Sequence, residues 1–264
     1  MSLDVLICTI DEGICQIPKI LLPPVEDVSW VVSMQYTDKK YLDMIPAELK
    51  ERSDVTLTFI EGRGLSLNRN NAIFHSHADV MLIGDDDCIY TEESLHKVIR
   101  FFELNPSFDI VCFAAADYDG EPLKPYPSQI TPFDAAFANG FYPASVEMAI
   151  RRGLGLQFDS RFGLGSQLLC AGEEDVFIKD ALKAGYNVVV NPIVIVRTDR
   201  NTTGQKFLED KKMQQTKGAV FQYLFGTGNA MWRSLKEACY YWVHRHVNPF
   251  PILYNMLRGI WILR

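Results

Sequence analysis

The chain has 264 residues, of which 48% are hydrophobic and 22% charged, and its formal charge is −7. That length suits one large α/β domain with a full core, or at most two small ones, and the acid excess argues against a nucleic-acid partner, which would need clustered Lys and Arg. Six cysteines without a C-x-x-C pair fit small buried hydrophobes in a reducing setting. The start, Met1-Ser2-Leu3-Asp4, lacks the basic start and cleavage site of a signal peptide, and no window of about 18 apolar residues predicts a spanning helix.

Val- and Ile-rich runs alternate with amphipathic stretches through the first 115 residues, the βαβ pattern of a mainly parallel sheet covered on both faces. The pattern predicts strands near 3–10, 28–34, 55–60, 79–84 and 109–114, with helices near 13–21, 40–51, 66–77 and 91–104. Thr91-Glu92-Glu93-Ser94 caps the last of these helices and Asn105-Pro106 ends it. Asp, Gly, Pro, Tyr and Ser then dominate 115–132, a long connection of the kind that binds ligands. A helix follows from Gly172-Glu173-Glu174-Asp175 to a Gly185 cap, then one or two strands over 187–196 broken at Pro192, and helices from about 205 onward.

Three segments suggest chemistry. Asp85-Asp86-Asp87 ends the apolar run from Ala78, and adjacent carboxylates there repel one another unless a cation neutralises them. Gly62-Arg63-Gly64-Leu65-Ser66 and Arg69 join a strand to a helix whose N-terminus favours anions, with Ser66 as its cap. In an open parallel sheet both segments face the crevice beyond the carboxyl ends of the strands. The third segment runs from Phe158 through Arg161-Phe162-Gly163-Leu164-Gly165 to Glu173-Glu174-Asp175. Taken singly, each also reads as a capped turn or a dipole-favoured acid cluster; their order along the chain raises the chemical reading.

Together with Cys8-Thr9-Ile10-Asp11 at the end of the first strand, these pieces resemble glycosyltransferase family 2 over roughly residues 3–200. The resemblance implies an α/β fold of GT-A type, with a mainly parallel central sheet flanked by helices and a helical C-terminal tail. Residues 1–204 would form the catalytic domain, with a nucleotide-binding half at about 1–115 and an acceptor half at about 116–204, and 205–264 a helical extension. It also implies an inverting enzyme that moves a sugar from a nucleotide-diphosphate sugar, with a UDP-sugar expected, to a glycan or lipid-linked acceptor in cell-surface polysaccharide assembly. Asp87 and Asp85 look like the ends of the family's D-x-D motif and would hold Mg²⁺ or Mn²⁺, with Asp85 or Asp86 near the ribose. Thr9, Asp11, Arg63 and Arg69 would line the nucleotide pocket, and Asp175 beside Glu174 looks like the general base. A sugar nucleotidyltransferase and a catalytically silent carbohydrate-binding module are the alternatives; the first lacks a Gly- and Arg-rich loop after the first strand, and the second does not call for an intact Glu174-Asp175.

Two positions depart from the family pattern. Gln35 stands near an expected acidic segment and would hydrogen-bond the base, and Arg197 stands where many members place a metal-binding histidine. An arginine there would neutralise the diphosphate itself and lower dependence on metal. The five histidines form no convincing ligand set. The tail from Arg233 to Arg264 carries +4 against −11 for the rest of the chain and mixes aromatics with Arg. It suits a peripheral membrane contact, consistent with a cytoplasmic enzyme at the inner face of a membrane, and equally a helix packed on the domain or on a second subunit.

Overall fold

The computed structural model describes residues 1–200 and 207–263. The described residues form two compact units. The first comprises 1–63, 67–157 and 180–200; the second comprises 64–66, 158–179 and the described part of 201–264. The boundary expected between 204 and 205 lies outside the described residues.

The first unit is built on an eight-stranded sheet. In chain order its strands are β1 (Leu3–Ile10), β2 (Val28–Tyr36), β3 (Val55–Glu61), β4 (Val80–Asp85), β5 (Ile110–Ala116), β6 (Thr131–Pro132), β7 (Met148–Arg151) and β8 (Val188–Arg197). They lie in the order β3-β2-β1-β4-β7-β5-β8-β6. The strands β1 to β4 pair in parallel, as do β5 and β8. Only β7, antiparallel to both β4 and β5, and the two-residue β6 run the other way. Because β7 reverses direction twice between its neighbours, the carboxyl ends of β1, β4 and β8 emerge on the same edge of the sheet.

Strands buried on both faces explain the continuous apolar runs of β1, β4 and β5. Trp30, Phe102, Phe113 and Leu82 belong to the core packed around them. The stretch expected to be helical over 13–21 breaks into a 3₁₀ turn, Asp11–Gln16, and α1 (Ile17–Ile20); that over 40–51 breaks into Lys39–Met44 and α2 (Ala47–Glu51). Pro18 and Pro46 sit at these breaks, where a missing N–H forbids a continuous ladder. The helix α3 spans Leu65–His75, and α4 (Glu92–Leu104) opens on a Thr91/Ser94 capping box. The connection after β5 holds a short α5 (Phe133–Ala138).

Amides on the inward side of α3 stitch it to the sheet. Asn68 accepts from Ser33 at 2.6 Å and donates to the Thr9 carbonyl, while Asn71 donates to Ser33 and Thr58. Each buried amide finds partners, as burial demands.

The second unit contains the start of α6 (Glu173–Lys183), α7 (Lys211–Arg245) and α8 (Pro249–Ile260). The helix α7 kinks at Gly226, whose φ of 75° and ψ of 168° are not helical. Its first half lies against α8 so closely that a Cβ on Gly218 would stand 2.0 Å from the Met256 carbonyl oxygen, and one on Gly259 1.8 Å from that of Gln215. Phe207, Phe221, Ile252 and Met256 fill the space beside this crossing.

Candidate functional site

The acidic triplet occupies a tight turn at the end of β4, closed by the Cys88 N–H on the Asp85 carbonyl at 3.2 Å. Three elements converge on it within the first unit. From β1, Thr9 Oγ1 donates to Asp86 Oδ2 at 2.6 Å. From α3, Arg69 donates to Asp85 Oδ1 at 3.3 Å and to Ser145 Oγ at 2.7 Å. From the connection after β5, Tyr118 donates its hydroxyl to the Asp87 carbonyl at 3.0 Å. The end of β8 pairs with the same turn, Ile89 and Arg197 exchanging backbone hydrogen bonds at 2.8 and 2.9 Å.

Crowding sets the electrostatics. Lost hydration raises the Asp86 carboxyl above the usual range, with the Thr9 hydrogen bond pulling it back and the Asp85 charge adding to the rise. Asp87 is exposed as a residue, yet its carboxyl is also raised, first by lost hydration and then by Asp85, against a hydrogen bond from Thr198. Two carboxyls that resist ionisation beside a third are a site that gains from a cation.

The other expected nucleotide-site residues lie at the same edge of the sheet. Asp11, at φ 51°, is buried, and Thr37 engages both its carboxylate oxygens through its N–H and hydroxyl at 2.7 to 3.0 Å. The exposed Arg63 approaches Asp11 at 3.9 Å. Gln35 is buried near the end of β2, paired in register with Ile10. Arg197 is exposed at the end of β8, with the Gly120 turn beside its guanidinium. Arg69, expected to line the nucleotide pocket, is only 1% exposed and joins α3, β4 and the 144–147 turn.

The second unit gathers the remaining motif. Ser66 does not cap α3, which begins one residue earlier; its hydroxyl donates to the Phe162 carbonyl at 2.7 Å, and the Leu65 N–H bonds the Leu164 carbonyl at 2.8 Å. Gly163, at φ 105°, sits so close that a Cβ would meet Ser66 Oγ at 2.7 Å and the Glu173 carboxyl carbon at 3.3 Å. Glu173, Glu174 and Asp175 form the first turn of α6, where the helix dipole favours carboxylates, and Glu174 and Asp175 are half-buried.

Among the described residues no three His, Cys, Asp or Glu side chains gather into a complete metal-ligand set. Mg²⁺ and Mn²⁺ sites of substrate-phosphate type take only one or two carboxylates from protein and fill the rest with water and phosphate oxygens. The raised Asp86 and Asp87 carboxyls fit such a site.

Residues 39–158 match the family model for glycosyl transferase family 2. The matched segment includes Arg63, Arg69 and the acidic triplet, and leaves Thr9, Asp11, Gln35, Glu174, Asp175 and Arg197 outside. Curated proteins yield no match.

Solved structures similar to this chain share its GT-A fold at low identity. S. aureus TarS residues 1–349 in complex with UDP-GlcNAc aligns with a TM-score of 0.59 at 12% identity, covering 98% of this chain and 90% of that one. A longer S. aureus TarS structure aligns at 0.54 and 14% identity over 91% of this chain, which spans 44% of that protein's length. The Pyrobaculum calidifontis mannosyltransferase in complex with GDP-Man and Mn²⁺ aligns at 0.50 and 14%, over 98% of this chain and 69% of that one.

Sequence reasoning missed Thr198, Tyr118, Ser145, Thr37 and Gly13. Thr198 had a weak signal, being the neighbour of Arg197. Ser145 had none, because its partner Arg69 is 76 residues away.

Proposed function

We propose that this chain is an inverting glycosyltransferase that moves a sugar from a nucleotide-diphosphate sugar, with a UDP-sugar favoured, to a glycan or lipid-linked acceptor. The observation that carries the reading is the crowded Asp86 and Asp87 pair, held by Thr9 and Thr198 at the carboxyl ends of β1, β4 and β8, within the segment that matches the glycosyl transferase family 2 model. UDP-GlcNAc in TarS and GDP-Man with Mn²⁺ in the mannosyltransferase support the same donor class.

Asp87, expected to hold Mg²⁺ or Mn²⁺ with Asp85, would do so with Asp86 instead, because Arg69 engages the Asp85 carboxylate; the metal when bound neutralises charge on a departing diphosphate. Asp85 is held by Arg69 and orients the turn. Arg197 adds a fixed positive charge at the same edge and stabilises the leaving diphosphate without metal. Asp11, fixed by Thr37, together with Gln35 and Arg63 would bind the nucleoside end. Asp175, with Glu174 beside it, would accept the proton of the attacking acceptor hydroxyl. One displacement then inverts the anomeric carbon, and no covalent sugar intermediate forms.

Asp175→Asn tests the assignment of the base. Donor binding should persist while transfer from UDP-GlcNAc or GDP-Man falls by about 10²–10⁴-fold. Undiminished turnover would remove Asp175 from the mechanism. The anomeric configuration of the product, read by NMR, tests inversion.

A further inference from the structure

The C-terminal helices display more aromatic surface than sugar transfer accounts for. Beyond the Gly226 kink, Ala230, Ser234 and Ala238 recur every four residues and are buried, fixing one side of α7 inward. The outward side presents Met231, Trp232, Leu235, Trp242 and Val243, with Trp232 60% and Trp242 59% exposed. At helical spacing these five occupy one arc of about 120°. The exposed Lys236 and Arg245 border that arc on either side. The acid of this stretch, Glu237, is paired with Lys217.

The last helix repeats the pattern. Ile252, Asn255, Met256, Gly259 and Ile260 face inward on α8. Phe250 (76% exposed), Tyr254 (61%) and Arg258 follow one another at four-residue spacing on the outer side, with the Arg258 guanidinium 5.9 Å from the Tyr254 ring centre.

Exposed apolar stripes of this extent mark an interaction surface. Charge selects the partner. Residues 233–264 carry +4 while the remainder carries −11. Pairing two copies through this face would oppose their cationic rims, whereas an anionic surface neutralises them. Trp and Tyr bodies with Lys and Arg at their edges match the layered polarity of lipid headgroups over acyl chains. No helix among the described residues is long and apolar enough to cross a membrane, so the contact lies in the interface plane.

We propose that the outer face of α7 beyond Gly226, together with that of α8, is a docking surface for an anionic lipid bilayer. Trp232, Trp242, Phe250 and Tyr254 enter the headgroup region, and Lys236, Arg245 and Arg258 meet the lipid phosphates. The surface is independent of the sugar-transfer reading: a chain that binds no nucleotide still binds vesicles if the proposal holds.

The test is sedimentation of the full chain with vesicles of phosphatidylglycerol and phosphatidylcholine, and of phosphatidylcholine alone, at low and high salt. The chain should pellet with the anionic vesicles, release as salt rises, and shift its Trp emission to the blue. The double variants Trp232→Ser/Trp242→Ser and Lys236→Glu/Arg245→Glu should each weaken partition by about tenfold or more. All four side chains are exposed, so the thermal unfolding temperature should hold and separate lost docking from lost folding. Absence of binding to anionic vesicles, equal binding by both variants, or a concentration-dependent dimer that Trp232→Ser/Trp242→Ser dissolves would overturn the proposal.

Discussion

Thr9 Oγ1 and Asp86 Oδ2 lie 2.6 Å apart, a hydrogen bond that ties the end of β1 to the end of β4 across 77 residues of sequence. It is the contact that opposes the burial of the Asp86 carboxyl, which remains raised even so. A carboxyl raised on folding favours the folded state below its unfolded pKa, and that contribution is lost as pH rises through the folded pKa. Asp86→Asn keeps an acceptor for Thr9 and removes the charge. The free protein should therefore unfold at a higher temperature than wild type at neutral pH, with the difference shrinking as acid protonates wild-type Asp86. Thermal unfolding between pH 4 and about 7.5 reads this directly. A variant less stable than wild type at neutral pH would contradict it.

Gly13 guards the same bond. A Cβ there would stand 2.3 Å from Thr9 Oγ1 and 2.9 Å from Asp86 Oδ2, so neither partner can keep its position. Gly13→Ala should cost about 1–3 kcal/mol of stability and weaken nucleotide binding about tenfold. Denaturant unfolding and calorimetric titration measure the two effects, and unchanged binding would detach the Thr9–Asp86 pair from the donor site.

Glu147 anchors the long connection after β5. It is fully buried and accepts from Tyr126 at 2.6 Å and from the Ala144 N–H at 2.9 Å, with Lys124 at 2.9 Å. Burial raises its carboxyl, and Lys124 opposes the rise. Glu147→Ala removes the buried acceptor of Tyr126, the Ala144 N–H and Lys124 and opens a cavity, so stability should fall by about 3 kcal/mol. Urea unfolding checks the value, and a loss under 1 kcal/mol would show that the connection is held elsewhere.

Much of the sheet is legible in the sequence. The five expected strands match β1 to β5 to within two residues, because each is a Val- or Ile-rich run bounded by turn residues. The four-residue β7 and two-residue β6 are too short to show a period, yet β7 makes the sheet mixed by joining β4 to β5. The acidic triplet is legible because acids after an apolar strand are costly without a purpose. Arg69 is not, since sequence reveals a charge and not its burial; only the fold brings it to Asp85 and Ser145. Ser66 misleads for a related reason. Its position suits a helix cap, but a carbonyl nearly a hundred residues away, that of Phe162, claims the hydroxyl. In the tail, apolar spacing reveals helices, while which aromatics face outward depends on where α7 kinks at Gly226.

A cation-assisted nucleotide site at the acidic triplet underlies the proposed transfer. The decisive measurement is calorimetric titration of the full chain with UDP, GDP, UDP-GlcNAc and GDP-Man, each with and without Mn²⁺, in wild type and Asp87→Ala. One nucleotide should bind more tightly with Mn²⁺ present, and Asp87→Ala should abolish that gain while leaving the weaker metal-free binding supported by Arg197. No binding of any nucleotide under either condition, or a Mn²⁺ gain that survives Asp87→Ala, would contradict the account.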